Sequence, residues 1–510
     1  MSKTNGIPSR FRIWTLVLPG PRPAKGPIMR NDMPFRPVRR QGGRTASFRR
    51  TVHAALRAVC LLCLVCGALA RPAAGDTLDF TTIRLGTGKE AVLVVGGIQG
   101  DEPGGFSAAT LLGTRYEIQE GAVWVVPNLN FPSIIRRSRG LHGDMNRKFA
   151  RLDSEDPEFH TVSRIKELIG HPDVRLVLNL HDGSGYYRPT YIDKLNNPRR
   201  WGQCVVIDQA RLEDVFMGEL HDEAHAVISA VNKRLLAPHH TYHIHNTRTA
   251  EGDREMEKSL SYYAVRQGKA AFGLEASKEF PVELRVYYHL QVIEKFLHQA
   301  GVRFQRDFDL TPDGIREALR ENLGVAFAGN RVFLPLEDVR DTIRFLPLPR
   351  DGAARAVTSK PIMAVLPCPD QDERLCIHYG NRTITLIEPD WHEMDESLDG
   401  MTVTVDGAKR FVGFGQVVWV YEHAVVHAVE GFRVNAIGLD SGRQDESGMR
   451  LEHGVFQKRF SVDRQGKIFR VEVYRGTRFA GLFLLRFGDT LHVERDMLPD
   501  SPGRESALGF

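Results

Sequence analysis

Between Thr77 and about Arg306, short apolar runs alternate with longer stretches whose apolar residues recur every three to four positions. Ala91–Val95, Gly121–Val126 and Val174–Leu180 are almost uninterrupted apolar segments, the pattern of strands covered on both faces. Phe106–Leu112, Asp156–Ile169 and Leu220–Leu235 carry helical spacing between or after them, and Val286–Ala300 closes the series. This alternation predicts an α/β domain with a largely buried sheet over residues 76–306. After a helical connector at Asp313–Asn322 the pattern shortens to strands such as Arg331–Leu334, Arg382–Ile387, Met401–Val405, Gln416–Tyr421 and Arg470–Tyr474. Turn signals, among them Asp406-Gly407 and Tyr379-Gly380-Asn381, separate them. Two small all-β domains are expected: 307–400 with the connector, and a sandwich-like 401–510 whose tail, Asp500–Phe510, frays. No internal repeat is evident.

Ahead of these domains, Ala54–Ala70 is an apolar core that follows an arginine-rich stretch and ends in Ala68-Leu69-Ala70. Basic, then apolar, then A-x-A is the order of an export signal. The uncharged part, Ala58–Ala70, is too short for the roughly twenty residues that span a bilayer. Residues 1–75 are therefore read as a leader cleaved near Ala70, with no integral membrane segment after processing. The leader also explains the charge. Thirteen Lys or Arg and one acid, Asp32, precede residue 70, so the chain's net +5 conceals a body that is acidic by about seven charges. That argues against a nucleic-acid-binding body. Cys60, Cys63 and Cys66 leave with the leader. Cys368 and Cys376 flank a Pro/Asp-rich turn, as either a hairpin disulfide or two buried thiols, and Cys204 stands alone.

Four segments of the α/β part carry chemistry. Val94-Val-Gly-Gly-Ile-Gln99-Gly-Asp-Glu102 runs from a strand into a glycine-rich turn, with an amide and a carboxylate three residues apart. Arg136–Phe149 crowds Arg136, Arg137, Arg139 and the Asn146-Arg147 pair into a loop. His181 ends a buried strand, the place where ligands collect in open α/β sheets. Glu275 ends another apolar run, in Gly273-Leu-Glu275-Ala-Ser-Lys278. Singly, each has an ordinary structural explanation. The segment His239-His-Thr-Tyr-His243-Ile-His245 places His243 and His245 on one face, better read as a solvated edge than as a second metal site.

In this order, across about residues 86–300, the four segments resemble the zinc carboxypeptidases: a G-G-x-H-x-x-E turn, a D-x-N-R-x-F loop (here Asp144–Phe149), a His after one strand and a Glu after another. Gln99 stands where that family has its first His. The departure is similar to the bacterial murein-trimming D,L-carboxypeptidases that shape helical cells, with a Gln–Glu–His site, an exported chain and two β domains. The resemblance implies a mixed central sheet flanked by helices and one Zn²⁺ held by Gln99, Glu102 and His181. It implies Glu275 as general base and Arg139 as the oxyanion partner. Asn146 and Arg147 would clamp the terminal carboxylate, Lys278 a second substrate carboxylate, and Trp201 would wall the pocket. It further implies a periplasmic enzyme that cuts peptidoglycan stem tripeptides to dipeptides, releases meso-diaminopimelate and affects cell shape. Its partners would be muropeptides, not nucleic acid, and the oligomeric state is left open. Two alternatives stand beside it: a muropeptide-binding module that has lost catalysis with the His, and an amide hydrolase of the aspartoacylase or succinylglutamate desuccinylase type, which shares the G-D-E turn.

Overall fold

Each apolar strand of the α/β part finds a helical layer on either side, which is why its sequence does not alternate. In the computed structural model, residues 78–350, 356–369 and 373–488 are described. The leader, its cleavage point near Ala70 and the Asp500–Phe510 tail lie outside them. Seven strands form the central sheet: β1 (Ile83–Gly86), β2 (Ala91–Val95), β3 (Ala122–Val126), β4 (Val174–Gly183), β5 (Cys204–Ile207), β6 (His243–Asn246) and β7 (Ala270–Ser277), in the spatial order β1-β3-β2-β4-β7-β5-β6. The sheet is mixed. β3, β2, β4 and β7 run parallel, while β1 and the β5–β6 pair run against their neighbours.

Val92, Val94, Leu176, Leu178, Phe272 and Leu274 face one helical layer, made by α1 (Pro103–Arg115), α3 (Leu220–Val231) and α5 (Val282–Gln299). Ala91, Leu93, Val95, Val177 and Ala271 face the other, made by α2 (Phe159–Gly170) and α4 (Leu260–Arg266). This period-two division decides which residues beyond the strand ends meet. Helix α6 (Pro312–Arg320), which the sequence reading set in a connector, buries Ile315 and Ala318 in the first of these cores.

The β-rich remainder packs onto this body through Ile362 and Ala364 against Phe106, Phe131 and Ile134. Cys368 and Cys376 form a disulfide across the Met363–Pro367 and Leu375–Tyr379 hairpin. Beyond residue 400, two four-stranded sheets enclose a sandwich core with Val403, Val434, Val471 and Phe483. The strands Ile468–Arg475 and Arg478–Phe487 are buried on both faces. Ile468, Tyr474, Leu482 and Leu484 turn to the core of residues 323–391, whereas Phe469, Val471, Phe483 and Leu485 turn to the sandwich. The two β segments thus share a hairpin, and the change of pattern near 400 does not divide their cores.

Candidate active site

Strand register assembles the site. β4 and β7 are parallel neighbours, with His181 opposite Glu275 and Asn179 opposite Gly273. Val177 and Ala271 share their parity, so these side chains emerge on the same face, at the carboxyl ends of adjacent strands. The turn after β2 brings Gln99 and Glu102 over the same spot. Gly100 is required there, because a Cβ would lie 2.1 Å from the Ser133 backbone. Gln99, Glu102, Arg139, Asn146, Arg147, His181, Trp201, Glu275 and Lys278, all nine residues proposed from sequence, line one cavity of about 280 Å³.

Three donor atoms converge in it. His181 Nδ1 lies 3.2 Å from Gln99 Oε1 and 3.0 Å from Glu102 Oε2. The Gln99 amide nitrogen donates outward to Asp144 Oδ1 at 2.8 Å, which turns its oxygen toward the other two. Glu102 Oε2 also accepts from the Asp182 backbone N–H at 3.1 Å. One imidazole nitrogen, one carboxylate and one amide oxygen with a held partner make a donor set that fits a divalent zinc-type cation. No three His, Cys, Asp or Glu side chains among the described residues are grouped for a metal, because here the third donor is an amide.

Charges surround this set in layers. Asp144 takes Arg139 Nη2 at 2.9 Å as well as Gln99. Burial alone would raise the Asp144 carboxyl, but the Gln99 hydrogen bond and the Arg139 charge outweigh it and hold the group below its ordinary value. Lys278 Nζ reaches Asp101 at 2.9 Å and Glu102 Oε1 at 3.4 Å. Burial would depress the His181 imidazole, but Glu102 outweighs it and leaves it raised. Glu275 accepts no side-chain hydrogen bond among the described residues. Burial, opposed by His181 and reinforced by Glu102, pushes it up to about 8. A carboxyl so placed suits general acid–base work near neutrality.

Several functional residues carry no local signal in the sequence. Asp182 points to the opposite face from His181. It accepts from the Gly104 N–H at the start of α1 (2.8 Å), and from Arg285 (3.1 Å) and His289 (3.1 Å) of α5. It thereby holds both helices to the strand that carries His181. Asn146, expected on substrate, receives the Leu260 N–H on its Oδ1 at 2.9 Å and so fixes the start of α4. Asn179 Nδ2 lies 2.8 Å from His181 Nε2, and Met256, Ser259 and Ser261 enter the cavity from a distant segment. Asn179 is two positions from His181 on one strand face, whereas the Asn146–Leu260 bond and the entry of Met256, Ser259 and Ser261 depend on chain crossings that no spacing reveals.

The histidine-rich stretch builds a wall. His245 lies face to face with Tyr187, ring centroids 4.1 Å apart, and 4.6 Å from Trp201. Its Nδ1 is buried without a hydrogen-bond partner, and burial pulls the imidazole down to about 4. Because the folded value lies below the unfolded one of about 6.5, the neutral ring's contribution is complete above that pH and is lost as pH falls toward 4. We expect His245→Phe, which keeps the stacking, to remove up to about 3 kcal/mol of acid destabilisation. Thermal melts of parent and variant from pH 7 to 4 check this: the parent curve should fall away below that of the variant as the pH drops. Parallel curves would show that His245 charges freely.

A family model described as the catalytic part of the carboxypeptidase controlling helical cell shape matches residues 79–320, and one described as the C-terminal domain of metallo-carboxypeptidase matches residues 394–488. No curated protein sequence matches the chain. Among solved structures, the product-bound cell shape determinant protein Csd4 from Helicobacter pylori is 39% identical, with a TM-score of 0.75, covering 80% of this chain and 100% of that one. Its tripeptide-bound form has the same values. The mDAP-bound form, described as a D,L-carboxypeptidase, is 41% identical with a TM-score of 0.74, covering 78% and 96%.

Proposed function

This chain belongs to the family of metallo-carboxypeptidases that control helical cell shape, and on that premise we propose that it is a periplasmic, zinc-dependent D,L-carboxypeptidase that shortens peptidoglycan stem tripeptides to dipeptides and releases meso-diaminopimelate. The observation that carries the reading is the convergence of Gln99 Oε1, Glu102 Oε2 and His181 Nδ1 beside a buried Glu275. A zinc ion held by those three supplies Lewis acidity toward the scissile carbonyl and toward water. Glu275 takes the proton from the attacking water on its carboxylate and returns it to the leaving amine. Arg139, with Nη1 3.7 Å from Glu102 Oε1, faces the oxyanion that develops at the carbonyl. Arg147, whose nearest carboxylate is the exposed Glu255 at 3.8 Å, is open to clamp the substrate's terminal carboxylate as a bidentate fork. Lys278 meets a further substrate anion only by loosening its pairing with Asp101.

Incubating the mature protein and zinc with purified muropeptides, read by mass spectrometry, tests the reading. Tripeptides should lose diaminopimelate, with tetrapeptides and plain L-peptides much poorer substrates. Binding without cleavage would favour the inactive module, and hydrolysis of acyl-amino acids with intact stems the deacylase.

The amide ligand has its own signature. Gln99→His should keep zinc and part of the activity, because an imidazole can ligate through one nitrogen and give the other to Asp144. Gln99→Ala should lose most of the zinc. Full activity in the alanine variant, with metal content measured in parallel, would remove Gln99 from the ligand set.

A further inference from the structure

Away from the active site, the strand Thr342–Leu348 bulges between Ile343 and Leu346 where it pairs with Arg382–Trp391. The bulge turns Phe345 outward, 68% exposed, at a φ of 49° that an aromatic residue rarely adopts. It is held in place. Buried Arg470 donates to the carbonyls of Arg344 (3.2 Å) and Phe345 (3.1 Å), and Arg470 is in turn paired with buried Glu472 at 3.4 Å. Tyr474 donates to the other Glu472 oxygen at 2.7 Å. Strained backbone clamped by a buried ion pair, presenting an exposed ring, is the mark of a functional surface.

That ring lines a cavity of about 880 Å³ between the two β segments, and a second cavity of about 520 Å³ continues it. The two share Arg433, Arg459 and Phe460, and Arg443 lies farther along. Arg433 lies over the Tyr474 ring at 4.4 Å and Arg459 over Phe460 at 4.8 Å. Neither they nor Arg443 forms an ion pair with a carboxylate among the described residues, although the Arg433 charge helps to lower the nearby Asp445 carboxyl. Arg344, with its side chain 72% exposed, stands at the other end, 3.7 Å from Glu388. Asp341, Asp390, Asp440 and Glu446 also line the two cavities, but Arg433, Arg443 and Arg459 form no ion pair with them and stand between exposed rings, which suits a long carboxylate-bearing ligand with apolar faces.

We propose that this groove is a second, non-catalytic binding site for peptidoglycan strands, its arginines gripping stem-peptide carboxylates and Phe345 and Phe460 meeting the apolar faces of strand sugars and side chains. The identity of the occupant rests on the substrate reading above; the groove itself does not. The site would hold the enzyme on the polymer while the cavity around Glu275 takes free stem ends.

The test uses full-length mature protein carrying Glu275→Gln, which spares the polymer, pelleted with purified sacculi. Adding Arg433→Glu with Arg459→Glu should lower binding about tenfold at low salt. With Glu275 restored, the same double variant should turn over soluble tripeptide within about twofold of the parent. Phe345→Gly, which relaxes the backbone, should also weaken binding several-fold without lowering the melting temperature. Sacculi whose carboxylates have been amidated should bind the parent as poorly as native sacculi bind the double variant. Unchanged pelleting of both groove variants, equal affinity for amidated sacculi, or a loss confined to an unrelated polyanion such as heparin would each overturn the proposal. A protein that fails to cleave tripeptides but still shows these binding differences would refute the catalytic reading alone.

Discussion

Mature protein carrying His181→Ala is expected to purify without zinc and to lose at least about a thousandfold in kcat/KM, some 4 kcal/mol of transition-state stabilisation. His181 Nδ1 is the only nitrogen among the three converging donors. Without it the site retains one carboxylate and one neutral amide oxygen, too few to hold zinc in a tetrahedral site with one open position. The substitution also strands the Asn179 amide, 2.8 Å from His181 Nε2, in a buried place, at a further cost of about 1–3 kcal/mol in stability. Two readouts separate these effects. Elemental analysis should find about one zinc per parent chain and almost none in the variant. Zinc should raise the melting temperature of the parent by mass action and leave that of the variant unmoved. A variant with a full equivalent of zinc would place the ligands elsewhere.

Glu275→Gln should leave the metal in place and remove the chemistry. The amide is isosteric with the carboxyl, sits opposite His181 in the β4–β7 register, and cannot take a proton from water. We expect kcat to fall by about 10³–10⁴, the upper part of the range for a positioned acid–base group. KM should stay within about threefold, because Glu275 grips no substrate anion in this arrangement. A zinc-loaded Glu275→Gln protein that kept more than a tenth of the parent kcat on muropeptides would require another base.

Much of the site was legible because its chemistry lies in short motifs at strand ends. Gln99 and Glu102 are three residues apart in one turn, Asp144–Phe149 is a compact loop, and His181 and Glu275 each close an apolar run. The resemblance to the zinc carboxypeptidases joined them, and the cavity holds all nine proposed residues. The role of Asp144 was hidden, since its hold on Gln99 spans 45 positions. So was the wall, where Trp201, Tyr187 and His245 meet from three separate segments. Of the histidine pair that alternation placed on a shared strand face, His245 is not at a solvated edge but stacks inward on Tyr187.

By itself the sequence determined the strands that are buried on both faces, the helices between them, the order of the catalytic motifs and the change to β structure after residue 320. These follow from local periodicity and turn chemistry, which neighbouring residues settle among themselves. Tertiary structure alone decided the contacts made by residues far apart. Helix α6 joined the α/β core because Ile315 and Ala318 had an apolar face to cover. The strands from Ile468 to Phe487 became common to two β cores because both of their faces are apolar. The Gln99 oxygen turned toward His181 because Asp144, delivered by a separate loop, took the nitrogen. Pairings of this kind are set by burial and by the need to satisfy polar groups in the assembled molecule, and no run of adjacent residues encodes them.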